Sequence, residues 1–171
     1  LVQNYLNERH LDEETIKLFQ IGWAPDAWDS FQIHAVRQGF SRPELIKAGL
    51  CVEKDGGGSY DKFRARLMFP IHSLGGKVIA FGGRVLDSET KGPKYLNSPE
   101  TELYHKSQVL YGLHKARNQI SSTGEVIFVE GYMDFLQLWQ HGIRNAVSVS
   151  GTALTEQHSR ILKRYAKKAW L

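Results

Sequence analysis

The sequence predicts a chain of mixed α+β and α/β class, in which helices and a small antiparallel sheet precede a truncated parallel βαβα part. Two observations carry this prediction. Short apolar stretches with helical spacing fill the first fifty residues, and alternating stretches with glycine-rich turns follow them. From residue 126 onward, continuous β-branched strands alternate with helices, which is typical of parallel sheets. We therefore predict domains at 1–121 and 122–171, divided within the Ser/Thr/Gly-rich stretch 118–124.

Helical spacing and capping signals predict four helices before residue 50. Asp12 precedes an acidic turn, as an N-cap residue does, and Ser41 with Glu44 forms a capping box. Gly22 ends the second helix, and a turn at 23–26 follows it. The third helix is predicted to bury the side chains of Trp28, Phe31, Ile33 and Ala35. The four helices are predicted at 2–6, 13–19, 27–38 and 42–48.

Glycine-rich turns predict a small antiparallel sheet after residue 50. Its strands are predicted at 51–54, 64–71 and 77–81. Gly82 and Gly83 allow either the close approach of a ligand or a bend. Prolines bracket the stretch 93–101, which holds a cation, an aromatic ring and an amide within four residues. We interpret it as an irregular binding loop, and a helix at 107–116 follows.

Three cations alternate with apolar residues at Lys62, Arg64 and Arg66. On a strand, alternate residues share a face, so these cations are predicted to lie in a row, about 7 Å apart. That spacing is close to the spacing of phosphates along an extended nucleic-acid strand. Because like charges in a row repel one another, an anionic ligand or acidic neighbours should accompany them.

The last fifty residues predict a parallel sheet with a functional edge. The predicted strands are 126–130, 146–149 and 169–171, and a helix ended by Gly142 and another that begins at Thr155 connect them. Ligands in open α/β sheets bind at the carboxyl ends of strands, so Glu130 and the turn 150–152 are candidates. Asp134 falls in a first helical turn, where acids also simply offset the helix dipole. These residues alone leave the functional and the structural interpretation open.

Composition restricts the class of protein. With 171 residues, 42% of them hydrophobic, the chain can bury a core. No apolar stretch is long enough to span a bilayer and no secretion signal opens the chain, so we expect a soluble, cytoplasmic protein that does not interact with membranes. Cys51 is the single cysteine, which excludes a disulfide framework and predicts a buried thiol. The net charge of +4 permits a polyanionic partner. The basic and aromatic residues between 62 and 117 suit either nucleic acid or an ordinary solvated face.

An ordered set of motifs resembles a known family. The stretch 129–134, Val-Glu-Gly-Tyr-Met-Asp, resembles the first acidic motif of Toprim domains. Together with the stretches 60–71, 81–86, 93–101 and 104–107, it resembles the bacterial DnaG-type DNA primases. The resemblance covers essentially the whole chain, which is similar to the N-terminal part of the primase catalytic core and the first half of its Toprim domain.

The resemblance implies synthesis of short RNA primers from nucleoside triphosphates on single-stranded DNA, with Mg²⁺ or Mn²⁺ as cofactor. It implies that Glu130 is a catalytic acid and metal ligand, and that Asp134 supports that site. The positions that it implies for binding nucleic acid or nucleotide are Arg9, Lys62, Arg64, Arg66, Arg84, Lys94, Tyr95, Asn97, Gly151 and Thr152.

The family pattern also implies parts that this chain does not contain. The remaining acidic metal ligands are expected beyond Leu171, a zinc-binding domain before residue 1, and a domain that binds the replicative helicase further downstream. We therefore expect a monomer that binds divalent metal weakly and makes no primers alone. Two alternatives stay open, namely another Toprim enzyme (a nuclease or topoisomerase) and a non-catalytic module that binds single-stranded nucleic acid. The stretch from Tyr60 to Thr101 favours the primase.

Overall fold

A computed structural model of the chain describes residues 1–87, 92–151 and 153–171. The helices in these ranges are α1 (Val2–Glu8), α2 (Glu13–Leu18), α3 (Ser30–Arg37), α4 (Arg42–Lys47), α5 (Leu113–Thr123), α6 (Tyr132–Gln140) and α7 (Glu156–Leu162), with a 3₁₀ turn at Lys106–Gln108. The strands are β1 (Gly22–Ala24), β2 (Cys51–Glu53), β3 (Ser59–Asp61), β4 (Arg66–His72), β5 (Val78–Val85), β6 (Tyr95–Asn97), β7 (Glu125–Val129), β8 (Ala146–Ser148) and β9 (Lys168–Trp170).

Local capping signals in the first part are confirmed. The Asp12 carboxylate accepts the Thr15 N–H at 2.6 Å and starts α2. The Ser41–Glu44 capping box starts α4, and the Glu44 carboxylate accepts the Ser41 N–H at 2.7 Å. Caps of this kind satisfy N–H groups that have no partner inside the helix, so residues within one turn are enough to define the start.

Helix α3 differs from its prediction. It begins at Ser30 instead of residue 27, because the Asp61 carboxylate accepts the N–H groups of Phe31 at 2.7 Å and Gln32 at 3.0 Å. The burial predicted for its apolar face is wrong for three of four residues. Ala35 is buried, but Trp28, Phe31 and Ile33 are 63%, 40% and 43% exposed. Asp61 lies on β3, so no signal near α3 shows this cap.

Two strands appear where a turn and a loop were predicted. In the four-stranded antiparallel sheet, ordered β1-β4-β5-β6, β1 occupies part of the predicted turn and β6 part of the predicted loop. Gly82 on β5 faces Asn97 on β6, and the bond from the Ser98 N–H to the Phe81 carbonyl at 2.8 Å extends this pairing. Both strands have only three residues, so their hydrogen-bonded partners, rather than their own sequence, define them. The predicted hairpin of β4 and β5 is confirmed.

The predicted row of three cations on one strand is wrong. Strand β3 ends at Asp61, and β4 begins only at Arg66. Between them Ala65 has a positive φ of 49°, which interrupts the alternation on which the prediction depended. Lys62 and Arg64 therefore belong to a connection, and only Arg66 belongs to a strand.

The predicted helix at 107–116 is displaced along the chain. Tyr111 instead forms an isolated antiparallel bridge with Ser148, and α5 begins after Gly112, which has a φ of 83°. A side chain at position 112 would collide with the ring of Phe135, which lies 2.2 Å from the ideal Cβ position. Helix α5 continues to Thr123 and thus occupies the stretch proposed as a linker. The division into 1–121 and 122–171 stays a prediction.

The parallel sheet is confirmed, with β7 between β8 and β9. A large apolar core joins this sheet and its helices to α1, α2 and the antiparallel sheet. Around Phe135, the rings of Phe19, Tyr111 and Trp139 have centroids 5.2 to 5.8 Å away. Cys51 is buried, as predicted. None of the helices in the described ranges combines the length and apolarity that a bilayer crossing requires.

A stacked histidine pair predicts acid-sensitive stability. The rings of His72 and His114 stack at 4.4 Å, and burial, followed by the nearby His72, lowers the pKa of His114 to about 4. The unfolded chain binds this proton near pH 6.5 and the folded chain only near pH 4, so stability falls as the pH falls through that window. We expect a loss of about 1 to 2 kcal/mol, allowing for partial exposure. Denaturant titrations at pH 7 and 4.5 should show a smaller loss in His114→Gln, and an equal loss would contradict the assignment.

Candidate active site

Glu130 directly follows β7, at the carboxyl end of the central strand of the parallel sheet. Its backbone carbonyl accepts hydrogen bonds from the Ser148 hydroxyl at 3.1 Å and the Gly151 N–H at 3.2 Å. Its carboxylate is exposed and makes no hydrogen bond or ion pair with any residue in the described ranges. It borders a groove that Val149, Gly151 and Leu171 also line. The backbone is thus held firmly while the carboxylate stays available to a ligand.

Asp134 has a structural function at the start of α6. One oxygen of its carboxylate accepts the Gly131 N–H at 3.2 Å and so closes the first turn of the helix. The side chain remains exposed, and its second oxygen has no hydrogen-bond partner in the described part of the chain. Asp134 therefore fixes the turn that follows Glu130, and its second oxygen remains available to a ligand.

The turn after β8 lies beside Glu130. Ser150 and Gly151 both have positive φ, at 56° and 77°, and the Ser148 hydroxyl accepts the Ser150 N–H at 3.0 Å. Consecutive residues of this kind often expose N–H groups to an anion. In this structure, however, the Gly151 N–H is bonded to the Glu130 carbonyl. Thr152, the other residue predicted here, lies outside the described residues.

Asn97 connects the antiparallel sheet to this edge. Its amide Nδ2 donates to the Ser150 carbonyl at 3.0 Å, and its Oδ1 accepts the Tyr132 hydroxyl at 2.8 Å. Tyr132 is buried and its ring stacks on Phe69 at 4.7 Å, with an angle of 8° between the planes. Burial raises the pKa of Tyr132, so the phenol remains the donor at neutral pH. Both ends of the Asn97 amide are therefore bonded to the Toprim-like part.

Arginines and tyrosines cluster beside Asn97. Arg84 donates to the Tyr95 hydroxyl at 3.0 Å, and its guanidinium lies 4.7 Å from the centre of the Tyr5 ring. Arg9 lies over the same ring at 5.5 Å. Burial raises the pKa of the Tyr5 phenol, and the two arginines act against this rise. Three of the predicted residues, Arg9, Arg84 and Tyr95, thus form one cationic surface, and Tyr5 holds two of the guanidinium groups by cation–π contact.

Arg66 and Lys94 lie next to this cluster but differ in exposure. Arg66 is 4% exposed, and its guanidinium donates to the carbonyls of Gly83 at 3.3 Å and Lys94 at 3.5 Å. It therefore holds β5 and the start of β6 together. The Lys94 side chain is exposed and free to meet a ligand, whereas Arg66 acts through the backbone that it supports.

Arg64 lies on a separate aromatic platform with Trp28 and Tyr60. Its guanidinium is 4.1 Å from the centre of the Trp28 ring and 5.1 Å from that of Tyr60. Trp28 is the most exposed aromatic residue of this group and meets Tyr60 edge to face at 5.4 Å. An exposed ring with a cation over its face suits single-stranded nucleic acid.

Lys62 has a different neighbour. Burial lowers the pKa of Lys62, and the nearby charge of Lys106 lowers it further. Neither lysine forms an ion pair with any residue that the structure describes.

The sequence prediction missed four residues of these surfaces, namely Tyr5, Trp28, Tyr132 and Lys106. Tyr132 and Lys106 lie within the motifs at 129–134 and 104–107, so their positions in the sequence could have identified them as site residues. Tyr5 lies one helical turn before Arg9 but far in the chain from Arg84, and Trp28 lies far from Arg64. Only the folded chain brings Arg84 to Tyr5 and Arg64 to Trp28.

The donor set fits part of a site for a hard cation. Magnesium and manganese prefer oxygen ligands and retain water, and the exposed Glu130 carboxylate is such a ligand. No group of three or more histidine, cysteine, aspartate or glutamate side chains suited to a metal occurs in the described ranges. These ranges thus supply one carboxylate, with Asp134 near it, rather than a complete ligand set.

Comparison with known families matches both parts of the chain. The model of the DNA primase catalytic core, N-terminal domain, matches residues 1–117, and the model of the Toprim domain matches residues 124–170. The DNA primase of Deinococcus radiodurans is 47% identical over 162 residues. That alignment covers 94% of this chain and 28% of the relative, so this chain spans little more than a quarter of the curated protein's length.

Solved structures agree with the family match. The RNA polymerase domain of the Mycobacterium tuberculosis primase DnaG, in complex with a double-stranded DNA with a 6-nucleotide overhang, superposes with a TM-score of 0.91 at 38% identity. That match covers 96% of this chain and 51% of the solved chain. A DnaG primase catalytic domain bound to single-stranded DNA superposes with a TM-score of 0.85 at 44% identity, over 98% of this chain and 54% of that one. The chain belongs to the DnaG-type DNA primase catalytic-core family, with the N-terminal core domain followed by part of a Toprim domain.

Proposed function

We propose that the protein synthesises short RNA primers from nucleoside triphosphates on single-stranded DNA, and that this chain supplies the first catalytic acid and most of the cationic surface. The observation that carries the proposal is the Asn97 amide. It bonds to Ser150 beside Glu130 and follows Tyr95 of the Arg84 cluster by two residues. This connection supports a site in which cations for a triphosphate or template would lie near a carboxylate suited to a metal.

The proposed chemistry matches what these side chains can do. Transfer of a nucleotidyl group depends on positioning and charge neutralisation more than on covalent participation by protein. Arg9, Arg84 and Lys94 would bind phosphate oxygens, and Tyr95 holds Arg84 in place through its hydroxyl. Gly151 and Asp134 would keep the Glu130 backbone in one position while substrates exchange.

A divalent cation fits this proposal through Glu130. When bound, Mg²⁺ or Mn²⁺ would neutralise charge on the reacting phosphate and favour loss of the attacking hydroxyl's proton. Glu130 would hold it through its carboxylate, and Asp134 would support it. Any zinc would belong to a separate domain, because Cys51 is the only cysteine here and is buried.

The proposed partners follow from the relatives. Related domains have been solved in complex with single-stranded DNA and with a duplex that has an overhang, which supports DNA as template. We extend the proposal to a nascent RNA primer, to a bacterial cytoplasmic location at the replication fork, and to a monomeric state. Contact with a replicative helicase is proposed for a part of the protein outside these 171 residues, since the curated relatives are much longer.

The full-length protein tests this proposal directly. With Mg²⁺, nucleoside triphosphates and a single-stranded template, it is expected to make short RNA products. The 171 residues alone are expected to bind single-stranded DNA but make no primers, because the described part lacks a complete metal-ligand cluster. Primer synthesis by the 171 residues alone would contradict this prediction. DNA binding without synthesis by the full-length protein would support a non-catalytic binding module instead.

Salt titration tests the Arg64 platform. Each phosphate contact on a single strand contributes roughly 0.7 to the slope of log K against log salt. Arg64→Ala should therefore make the slope shallower by about that amount. Arg160→Ala is a matched control, because Arg160 is exposed and paired with Glu156 at 2.7 Å on α7. An unchanged slope in Arg64→Ala, or an equal change in both variants, would remove Arg64 from the interface.

A further inference from the structure

The backbone of the turn that carries Lys106 is held from two sides. The Glu100 carboxylate accepts the Lys106 N–H at 3.0 Å from within the N-terminal part. From the Toprim part, His158 Nε2 donates to the Lys106 carbonyl at 3.0 Å, and the Thr155 hydroxyl donates to the Ser107 carbonyl at 2.8 Å. The turn at Lys106–Gln108 has only three residues and no capping side chain of its own. Its position therefore depends on these outside donors and acceptors.

His158 uses both ring nitrogens in this arrangement. Its Nδ1 accepts the Thr155 N–H at 3.3 Å, which requires the neutral tautomer with the proton on Nε2, the nitrogen that donates to Lys106. The Thr155 hydroxyl in turn accepts the His158 N–H at 3.1 Å. The side chain is 0% exposed, and burial lowers the pKa of His158, so the neutral ring persists at neutral pH. A capping role for α7 alone would not require the bond to Lys106.

The supported lysine has a specific neighbour. Lys106 lies close enough to Lys62 for its charge to lower the pKa of that ammonium group. Neither of the two forms an ion pair in the described ranges, and the one acid near Lys106 is Glu100, whose carboxyl pKa the Lys106 charge helps to lower. Because Glu100 is exposed and already pairs with His105 at 3.1 Å, it offsets only part of the charge of the two ammonium groups, which can still attract a phosphate that both contact. The backbone position of Lys106 decides whether this pair exists.

We propose that His158 and Thr155 are positioning residues that hold Lys106 beside Lys62, so that the Toprim helix α7 shapes the cationic surface of the N-terminal part. This inference rests on the proposed function, because it assigns a phosphate of the template or nucleotide to the lysine pair. Neither residue touches that ligand. They affect ligand binding only through their hydrogen bonds to the carbonyls of Lys106 and Ser107, which fix the position of Lys106.

A double-mutant cycle in the full chain tests the positioning. With a single-stranded oligothymidylate, Lys106→Ala should make the salt slope shallower by about 0.7. His158→Leu should produce a similar change, and the double variant should show little further change, because both remove the same contact. His158→Gln, whose amide can still donate to the carbonyl, should keep the slope of the unmodified chain. Leu162→Ala is the control, because Leu162 is buried on the same helix. It should lower stability but leave the slope unchanged.

A second measurement does not depend on DNA. In NMR titrations of the lysine ammonium groups, the Lys62 pKa should rise in both variants, because Lys106→Ala removes a nearby positive charge and His158→Leu moves that charge away. Three results would overturn the positioning role. They are an unchanged Lys62 pKa in His158→Leu, slope changes of the two single variants that add up in the double variant, and an equal slope change in Leu162→Ala. An unchanged slope in Lys106→Ala would instead refute the DNA contact, while the Lys62 pKa would still decide the positioning. If His158→Leu does not fold, Thr155→Val removes the donor to Ser107 and serves in its place.

Discussion

Replacement of Glu130 by glutamine is expected to lower primer synthesis by the full-length protein at least about 100-fold, because an amide cannot replace a charged metal ligand. Binding of single-stranded DNA should remain unchanged, since the cationic residues lie outside the parallel sheet that carries Glu130. Stability should also remain within about 0.5 kcal/mol, because the side chain is exposed and has no partner in the described ranges.

The same strand provides a matched control for Glu130. Glu125 lies at the opposite end of β7, where its carboxylate accepts the Trp170 indole N–H at 2.9 Å and lies 3.6 Å from Lys168. Glu125→Gln should leave primer synthesis close to its original rate. Primer synthesis, DNA binding and unfolding should be measured for both variants. Full activity in Glu130→Gln, or an equal loss in Glu125→Gln, would refute the catalytic assignment.

Replacement of Gly82 by alanine is expected to disturb the contact between the two parts of the chain. A Cβ at this position would lie 2.4 Å from the Tyr132 hydroxyl and 2.5 Å from the ring carbon that carries it. Tyr132 is 1% exposed and stacks on Phe69, so its ring cannot move aside at low cost. We expect a loss of about 1 to 3 kcal/mol in the free energy of unfolding, as overpacked cores show.

The functional effect of this substitution should exceed its effect on stability alone. Displacement of Tyr132 breaks its hydrogen bond to Asn97 and frees the amide that also bonds to Ser150. Primer synthesis should therefore fall under conditions in which the variant is fully folded. Gly56→Ala is the control, because nothing lies within 4 Å of its Cβ position and its φ is not positive. Denaturant unfolding and primer assays should be carried out on both Gly82→Ala and Gly56→Ala. Equal stability and equal primer synthesis in the two variants would contradict the prediction.

Several features were predictable because their causes lie close together in the chain. Asp12 and Ser41 cap helices through bonds that reach three residues, and those helices begin where predicted. The continuous apolar strand before Glu130 likewise predicted the parallel sheet and the position of Glu130 at its edge.

Other features depend on residues far apart in the chain. Helix α3 begins where the Asp61 carboxylate accepts its N–H groups, and it leaves Phe31 and Ile33 exposed while Ala35 is buried. Strand β6 exists because β5 offers hydrogen bonds to it, although its own sequence, bracketed by prolines, predicted a loop. The predicted row of three cations is wrong because Ala65 has a left-handed backbone conformation, which an alternating sequence pattern does not reveal.

The sequence by itself determined the caps, the central hairpin, the parallel strands and the motif that carries Glu130, since bonds within a few residues and the spacing of apolar side chains specify them. Only the tertiary structure decided which cations share a surface. Arg84 joins Arg9 around Tyr5, Arg64 lies over Trp28, and Lys62 lies near Lys106. The physical reason is that long cationic side chains take their positions from aromatic rings and carbonyls on other elements, which sequence spacing does not encode.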